Sequence, residues 1–345
     1  IRTTREGLSK YTNFPKRIVN KYKAILFQKP FEIDDATKKY LESDTVDLIN
    51  NFDGKGNSIY AFARNELFRD RAVYGVAFAL VTSNENDNAF ATCINPLSVK
   101  DWQIQNGKLS LFRYDYSVYA NRTSSSQEPT KITYSDEYAL IDGKVFLTRW
   151  QAEKEGNDWK IKEQIELTNF IEIPVVSVFN ESLLADSKAD ILSYHELKSS
   201  LLNQLYHQAF QKIFITGNLS DSQKIAFAEY IATVIATKDG SPNANVTTIE
   251  PTNPVALISQ LGTTEINIYK SAFHLNQMTA AGSKNVEGAD TQSVNKEDFI
   301  SAIKVEMGIL EKQLTQLITL LGDQLGETLN PAVKFDYDQL SMLDF

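Results

Sequence analysis

Residue types able to do catalytic or metal chemistry are sparse in this 345-residue chain. Its three histidines, His195, His207 and His274, all fall in stretches with a helical apolar period. A helical metal pair needs imidazoles one turn apart, but His195 and His207 are twelve positions apart and no His-Glu-x-x-His sequence occurs. They read as helix-surface or interface histidines. The acidic neighbours Asp34-Asp35 and Asp136-Glu137 could act as general acid and base. They fall at an expected helix start and an expected turn, where solvated carboxylates are ordinary. Gly54-Lys55-Gly56 invites a phosphate-loop reading, yet the full G-x-x-x-x-G-K-[ST] pattern and a preceding strand are both missing, so it reads as a turn. Neither G-x-S-x-G nor G-x-G-x-x-G is present. The single cysteine, Cys93, excludes an internal disulfide and a cysteine-cluster zinc site, and reads as a small buried hydrophobe. These residues make no case for an enzyme or a cofactor. The competing readings are a soluble α/β enzyme acting through acidic residues, which would require a closed pocket, and a ring-forming structural protein of another kind.

Charge narrows the partners. Lysine plus arginine number 35 against 44 acidic residues, a net −9, whereas tight sequence-independent duplex binders are usually basic. The densest basic set, Lys16, Arg17, Lys21 and Lys23, reads as a solvated or subunit-facing helix surface. Lys284 differs, because it stands in a small, polar, Gly-bearing stretch, residues 282–295, that reads as an exposed loop. Repeated by rotational symmetry, one such lysine would make a ring of weak phosphate contacts. No apolar run approaches the 18 or more residues of a membrane span, and the first ten residues do not read as a signal peptide.

The elements that would position this loop follow from apolar periods. After it, Asn295 is the expected N-cap of a long helix, with Phe299, Ile303, Met307, Leu310, Leu314, Leu317 and Leu321 on one face. Some 29 residues at 1.5 Å each would span roughly 43 Å, with a kink or close packing contact expected at Gly308. Upstream, helices are expected at 14–27, 34–51 and 58–74. Short strands follow at 76–81, 89–94, 99–105, 108–117, 131–134, 138–141, 144–151 and 158–167, with Asn106-Gly107, Asp142-Gly143 and Gly156-Asn157 as hairpin signals. Residues 187–211 and 263–280 read as helices, the first opened by Ser187 with Asp190 as a capping box. Between them lie a short strand at 213–216, a helix at 221–237 and a strand at 246–249. A strand at 332–338 closes the chain. The fold class is therefore α+β.

This order resembles the portal proteins of tailed bacteriophages, in the siphophage branch, over nearly the whole chain. Thr12-Asn13-Phe14-Pro15-Lys16-Arg17-Ile18-Val19-Asn20-Lys21-Tyr22, then Leu26-Phe27-Gln28-Lys29-Pro30, is similar to the family's opening helix and its ending, with Gln28 where glycine is commoner. Arg71-Ala72-Val73-Tyr74-Gly75-Val76-Ala77-Phe78 resembles the helix-to-strand step of the wing. Ile94-Asn95-Pro96-Leu97-Ser98-Val99 resembles its proline turn, and Ile173-Pro174-Val175-Val176 with Asn180 the entry to the stem.

The resemblance implies a wing over residues 1–185, stem helices at 186–211 and 263–281 and a small α/β clip at 212–262. A tunnel loop would occupy 282–295 and the long wing helix with a returning strand 296–345; no crown is recognisable. It further implies a homo-oligomeric ring, a dodecamer, at one vertex of the virion capsid, assembled in the host cytoplasm. Duplex DNA would pass through the ring, driven by the terminase large subunit. Major capsid, scaffolding and head-completion adaptor proteins would be partners, with no membrane, no cofactor and no catalysis. Lys284, Asn285 and Gln292 would face the DNA, while Lys224, Phe227 and Tyr230 on the clip would face the motor or adaptor. An electronegative channel wall suits a polyanion that must slide.

Overall fold

The computed structural model describes residues 12–43, 47–83, 88–119, 131–152, 158–209, 212–216, 233–237, 245–248, 254–273 and 289–342. It is a mixed helix and sheet fold in two compact units, one of Pro15–Ala185 with Lys296–Phe345, the other of Ile1–Phe14 with Asp186–Asn295.

The larger unit is entered through helix α1, Phe14–Leu26. Ile18, Val19, Tyr22, Ile25 and Leu26 recur at helical spacing and are all buried, so one face is committed to the core. Strand β1, Glu32–Ile33, leads to α2, Asp35–Leu41, capped by Asp34, whose carboxylate accepts from Thr37 N at 3.0 Å. The helix expected to run to residue 51 stops at Leu41. Asp47 has φ 40 and takes the amide of Asn50 at 2.9 Å, and the buried Asp53 accepts from the backbone of Lys55 and Asn57. Such side-chain bonds to nearby amides compete with helix propagation. The Gly54-Lys55-Gly56 segment is accordingly a turn.

Helix α3, Ile59–Phe62, is capped by Ser58 and continues through a π-turn, Ala63–Leu67, into α4, Phe68–Tyr74. Gly75 ends it in the left-handed region at φ 76. Strands β2 (Val76–Ser83), β3 (Ala89–Ile94), β4 (Val99–Gln105), β5 (Lys108–Tyr119), β6 (Lys131–Ile141), β7 (Lys144–Ala152), β8 (Trp159–Glu166) and β9 (Val175–Phe179) follow. They form a three-stranded sheet, β3-β2-β9, and a five-stranded meander, β4-β5-β6-β7-β8, antiparallel throughout. The hairpin signals hold at Asn106-Gly107 (φ 52 and 78) and Asp142-Gly143 (φ 52 and 78), the left-handed pairs a type I′ turn needs. Gly156-Asn157 lies outside the described residues.

Residues 131–134 and 138–141, expected as separate strands, are one. The intervening Ser135-Asp136-Glu137 is polar, but Ser135 and Asp136 are buried and matched across the sheet. Asp136 takes two bonds of 2.9 Å from Arg149, and Ser135 takes Arg113 Nε at 2.9 Å.

In the smaller unit, α5, Lys188–Ala209, packs on α6, Val255–Ala272. Strands β10 (Lys212–Thr216), β11 (Thr233–Thr237) and β12 (Asn245–Thr248) form a mixed sheet in the order β11-β10-β12, with β10 parallel to β11 and antiparallel to β12. Residues 233–237, expected in a helix, are therefore strand; Thr233, Val234 and Ile235 are β-branched and favour it. Helix α6 also starts eight residues before the expected 263. Gly262 looked like a start signal but is tolerated mid-helix, at about 1 kcal/mol against Ala, because apolar residues precede it from Val255 onward.

Helix α7 runs unbroken over Ala289–Leu325, 37 residues, so Asn295 is interior and not its N-cap. Gly308 faces the Tyr337 hydroxyl, 3.8 Å from where a Cβ would stand. The close approach comes instead at Gly322, where a Cβ would lie 2.8 Å from the Glu327 carbonyl and from Leu329. The returning strand β13 is only Val333–Lys334, antiparallel to β1. Glu311 on α7 accepts from Phe335 N at 2.7 Å and from the Tyr337 hydroxyl at 3.0 Å, drawing the chain off the strand path into a 3-10 turn, Tyr337–Met342.

At Gly75 a Cβ would stand 2.5 Å from the Asn180 carbonyl and 3.0 Å from Ser182 N, on a left-handed backbone. Gly75→Ala is expected to destabilise the chain by about 2 kcal/mol or more, read as a lower urea midpoint at unchanged slope.

Candidate functional site

The long helix is held by its own apolar period. Phe299, Ile303, Met307, Leu310, Leu314, Leu317, Ile318 and Leu321 are buried within the larger unit. Tyr22 meets Phe299 edge-on at 5.4 Å between ring centres. Amid this apolar face Glu306 pairs with Arg71 of α4. The arginine is 0% exposed and the glutamate 3%. Burial pushes the Arg71 guanidinium down to about 10, opposed by the nearby Tyr22, and burial also raises the Tyr22 phenol. Sequence reading missed this pair, although Glu306 interrupts the apolar face of α7 two residues from Lys304 and one from Met307.

Lys284 and Asn285 lie outside the described residues, as do Lys224, Phe227 and Tyr230. Gln292, expected in the loop, lies in α7, four residues into the helix. The reason is upstream helix competence: Ala289, Asp290 and Gln292 extend the first turns, with Asp290 placed where the helix dipole favours negative charge. Residues 289–295 of the expected loop are thus helix, and 282–288 lie outside the described residues. His207 and His274 have no described side chain. His195, beside Tyr194 and Phe14 at 5.9 and 6.4 Å between ring centres, sits in an aromatic cluster. Burial and then Lys198 lower its pKa.

The helix pair of the smaller unit is thinly covered. Among its described side chains only Ile191, Thr264, Ile268 and Ala272 are buried. Leu192, Val255 and Ile258 are 57%, 61% and 53% exposed, and Leu205 is exposed as well. Val255 and Ile258 are three apart, so they share a face.

Two other carboxylates, Asp136 and Asp34, are satisfied internally. Asp136 is spanned by Arg149 and also accepts from the Tyr116 hydroxyl at 3.4 Å. Burial, then the Asp136 charge, pushes Tyr116 up to about 12. A carboxylate so occupied is a cross-strand staple. Asp34 likewise takes Ala332 N at 2.9 Å and Thr37 N, bonds that hold it below its ordinary value. Cys93, expected as a small buried hydrophobe, is only half-buried on β3, and desolvation by its surroundings pushes its thiol up. An open cleft of about 490 Å³ lies between α7 and the 3-10 turn, lined by Glu297, Ser301, Lys304, Tyr337 and Leu340. Among the described residues no group of three or more His, Cys, Asp or Glu could hold a metal ion, and no helix is long and apolar enough to cross a membrane.

No protein-family model matches the chain, and no curated protein matches it.

Removing one partner of the buried pair leaves the other charged in an apolar site. Arg71→Met and Glu306→Leu are each expected to cost about 3–5 kcal/mol, and the double variant much less than their sum. A double-mutant cycle by chemical denaturation measures this.

Proposed function

We propose that the protein is a phage portal subunit, which assembles into a ring that passes duplex DNA during packaging and ejection. The observation that carries this reading is the α5–α6 pair: two helices of 22 and 18 residues that bury only a few positions and turn Leu192, Val255 and Ile258 outward. A helix pair of that kind gains most of its stability from tertiary packing of its apolar faces, so neighbouring copies are the natural cover. The succession of wing sheet, helix, small mixed sheet, helix, long helix and returning strand supports the same reading. In it α5 and α6 are the stem, β10–β12 belong to the clip and α7 crosses the wing.

On this reading the ring is a homododecamer at a capsid vertex of the virion, built in the host cytoplasm alongside major capsid and scaffolding proteins. The terminase large subunit and a head-completion adaptor contact the clip at Lys224, Phe227 and Tyr230. Lys284 with Asn285 meets the DNA backbone weakly, in keeping with the net −9. The protein performs no catalysis of its own and needs no cofactor.

Electron microscopy of the purified chain, alone and with capsid partners, is expected to give rings with a central hole about as wide as duplex DNA. Compact particles without a hole in both conditions would overturn the proposal. Val255→Asp with Ile258→Asp is expected to shift rings to single subunits without unfolding the larger unit. Lys284→Glu should leave rings intact and lower the amount of DNA packaged; unchanged packaged length and yield would remove Lys284 from the channel.

A further inference from the structure

The larger unit carries a second feature that the portal reading does not use. Helix α1 has four basic residues, Lys16, Arg17, Lys21 and Lys23, and no acidic one, in a chain of net −9. Lys16, Arg17 and Lys21 are exposed and Lys23 is half-buried. The helix segment across from it contributes two more cations. Phe27, one turn beyond Lys23, packs edge-on against Phe68 at 6.1 Å between ring centres. Phe68 is flanked in sequence by Arg69 and follows Arg64 by one turn. Both arginines are exposed, and Arg64 lies in the π-turn Ala63–Leu67, a local widening that often marks functional positions in helices.

The cations are close enough to feel one another. Partial burial, then Arg69 and Arg64, hold the Lys23 ammonium below its ordinary value, with Asp70 opposing. Asp70 is itself engaged, taking Arg69 Nε at 2.8 Å. Glu66 also acts on Arg69. Like charges gathered at a partly buried position raise the free energy of the isolated surface, which an anion would relieve.

Composition decides which anion. Protein-docking surfaces centre on apolar and aromatic anchors and are depleted in lysine. Here the exposed positions of α1 and of residues 59–70 include no large apolar side chain. Lysine and arginine without such anchors make the surface of phosphate contacts. From Lys16 to Lys23 the helix rises about 10 Å, the length of duplex axis over which one strand presents about three phosphates at about 3.4 Å of axial rise each. We infer that α1 with Arg64 and Arg69 forms a sequence-independent contact for the phosphate backbone of nucleic acid, separate from Lys284.

The test is fluorescence anisotropy of a labelled mixed-sequence DNA duplex with the full-length chain over a range of salt concentrations. Binding is expected to weaken linearly on a log–log salt plot. Lys23→Gln with Arg64→Gln should lower affinity about tenfold at low salt and reduce the slope by about 2, with thermal stability unchanged. Lys100→Gln with Lys144→Gln, which removes equal charge from the five-stranded sheet, should do neither. Equal losses in both double variants would overturn the inference, as would no duplex binding at low salt. Capture of a poly-glutamate peptide without binding of DNA would overturn it in favour of an acidic protein partner. Rings on grids, read separately, test the portal proposal, so either can fail alone.

Discussion

One ion pair sets the terms for the larger unit. Arg71 and Glu306 are both removed from water, so each is tolerable only while the other is present. That condition ties α4 to α7 at a definite register, since sliding by one residue would carry Glu306 off the arginine. The apolar face of α7 alone is more forgiving, because leucines and isoleucines at i, i+3 and i+4 can pack in neighbouring registers. The charged pair selects one of them. Tyr22 and Phe299 close the same neighbourhood from α1, so the first, fourth and last long elements of the unit meet around a single polar contact.

The two ends of the unit are then secured by side chains that accept backbone amides at long sequence separation. Asp34 takes both Thr37 N and Ala332 N, joining the cap of α2 to the returning chain. Glu311 receives Phe335 N and Tyr337, and Lys29 reaches Asp336 at 2.6 Å. The last described residues are therefore held against the first helices by carboxylates and not by an extended sheet. The rod and its fastening are rigid where side chains are buried. The exposed surfaces differ in kind: α5 and α6 present the apolar Leu192, Val255 and Ile258, and α1 presents ammonium and guanidinium groups.

Much of this was legible from local pattern. The apolar period of α7 from Phe299 to Leu321 predicts one buried face, and that face is buried. The two described hairpin turns sit where Asn-Gly and Asp-Gly call for left-handed backbone. Errors cluster where local chemistry has two solutions. Asp136 reads as a turn residue until Arg149 is seen opposite it. Gly262 reads as a boundary until the helix continues through it. The segment 233–237 reads as the end of a helix by its apolar spacing, yet its β-branched residues favour the strand it forms. Of the candidate site, Gln292 reads as loop while Asn295 reads as the cap, yet Gln292 lies in α7 because residues from Ala289 onward are equally able to begin the helix.

The sequence by itself determined the α+β class, the buried stripe of the long helix, the type I′ turns and the scarcity of catalytic or metal-binding residues, since each rests on spacing or composition within a few turns of chain. Only the tertiary structure decided that Glu306 is matched by Arg71, that Asp136 is neutralised across a strand, that the close approach lies at Gly322 and that Arg64 and Arg69 join Lys23. Each of these is a meeting of groups distant along the chain or on separate elements. The free energy of a charge depends on what stands beside it once water is gone, and one-dimensional spacing carries no record of that neighbour.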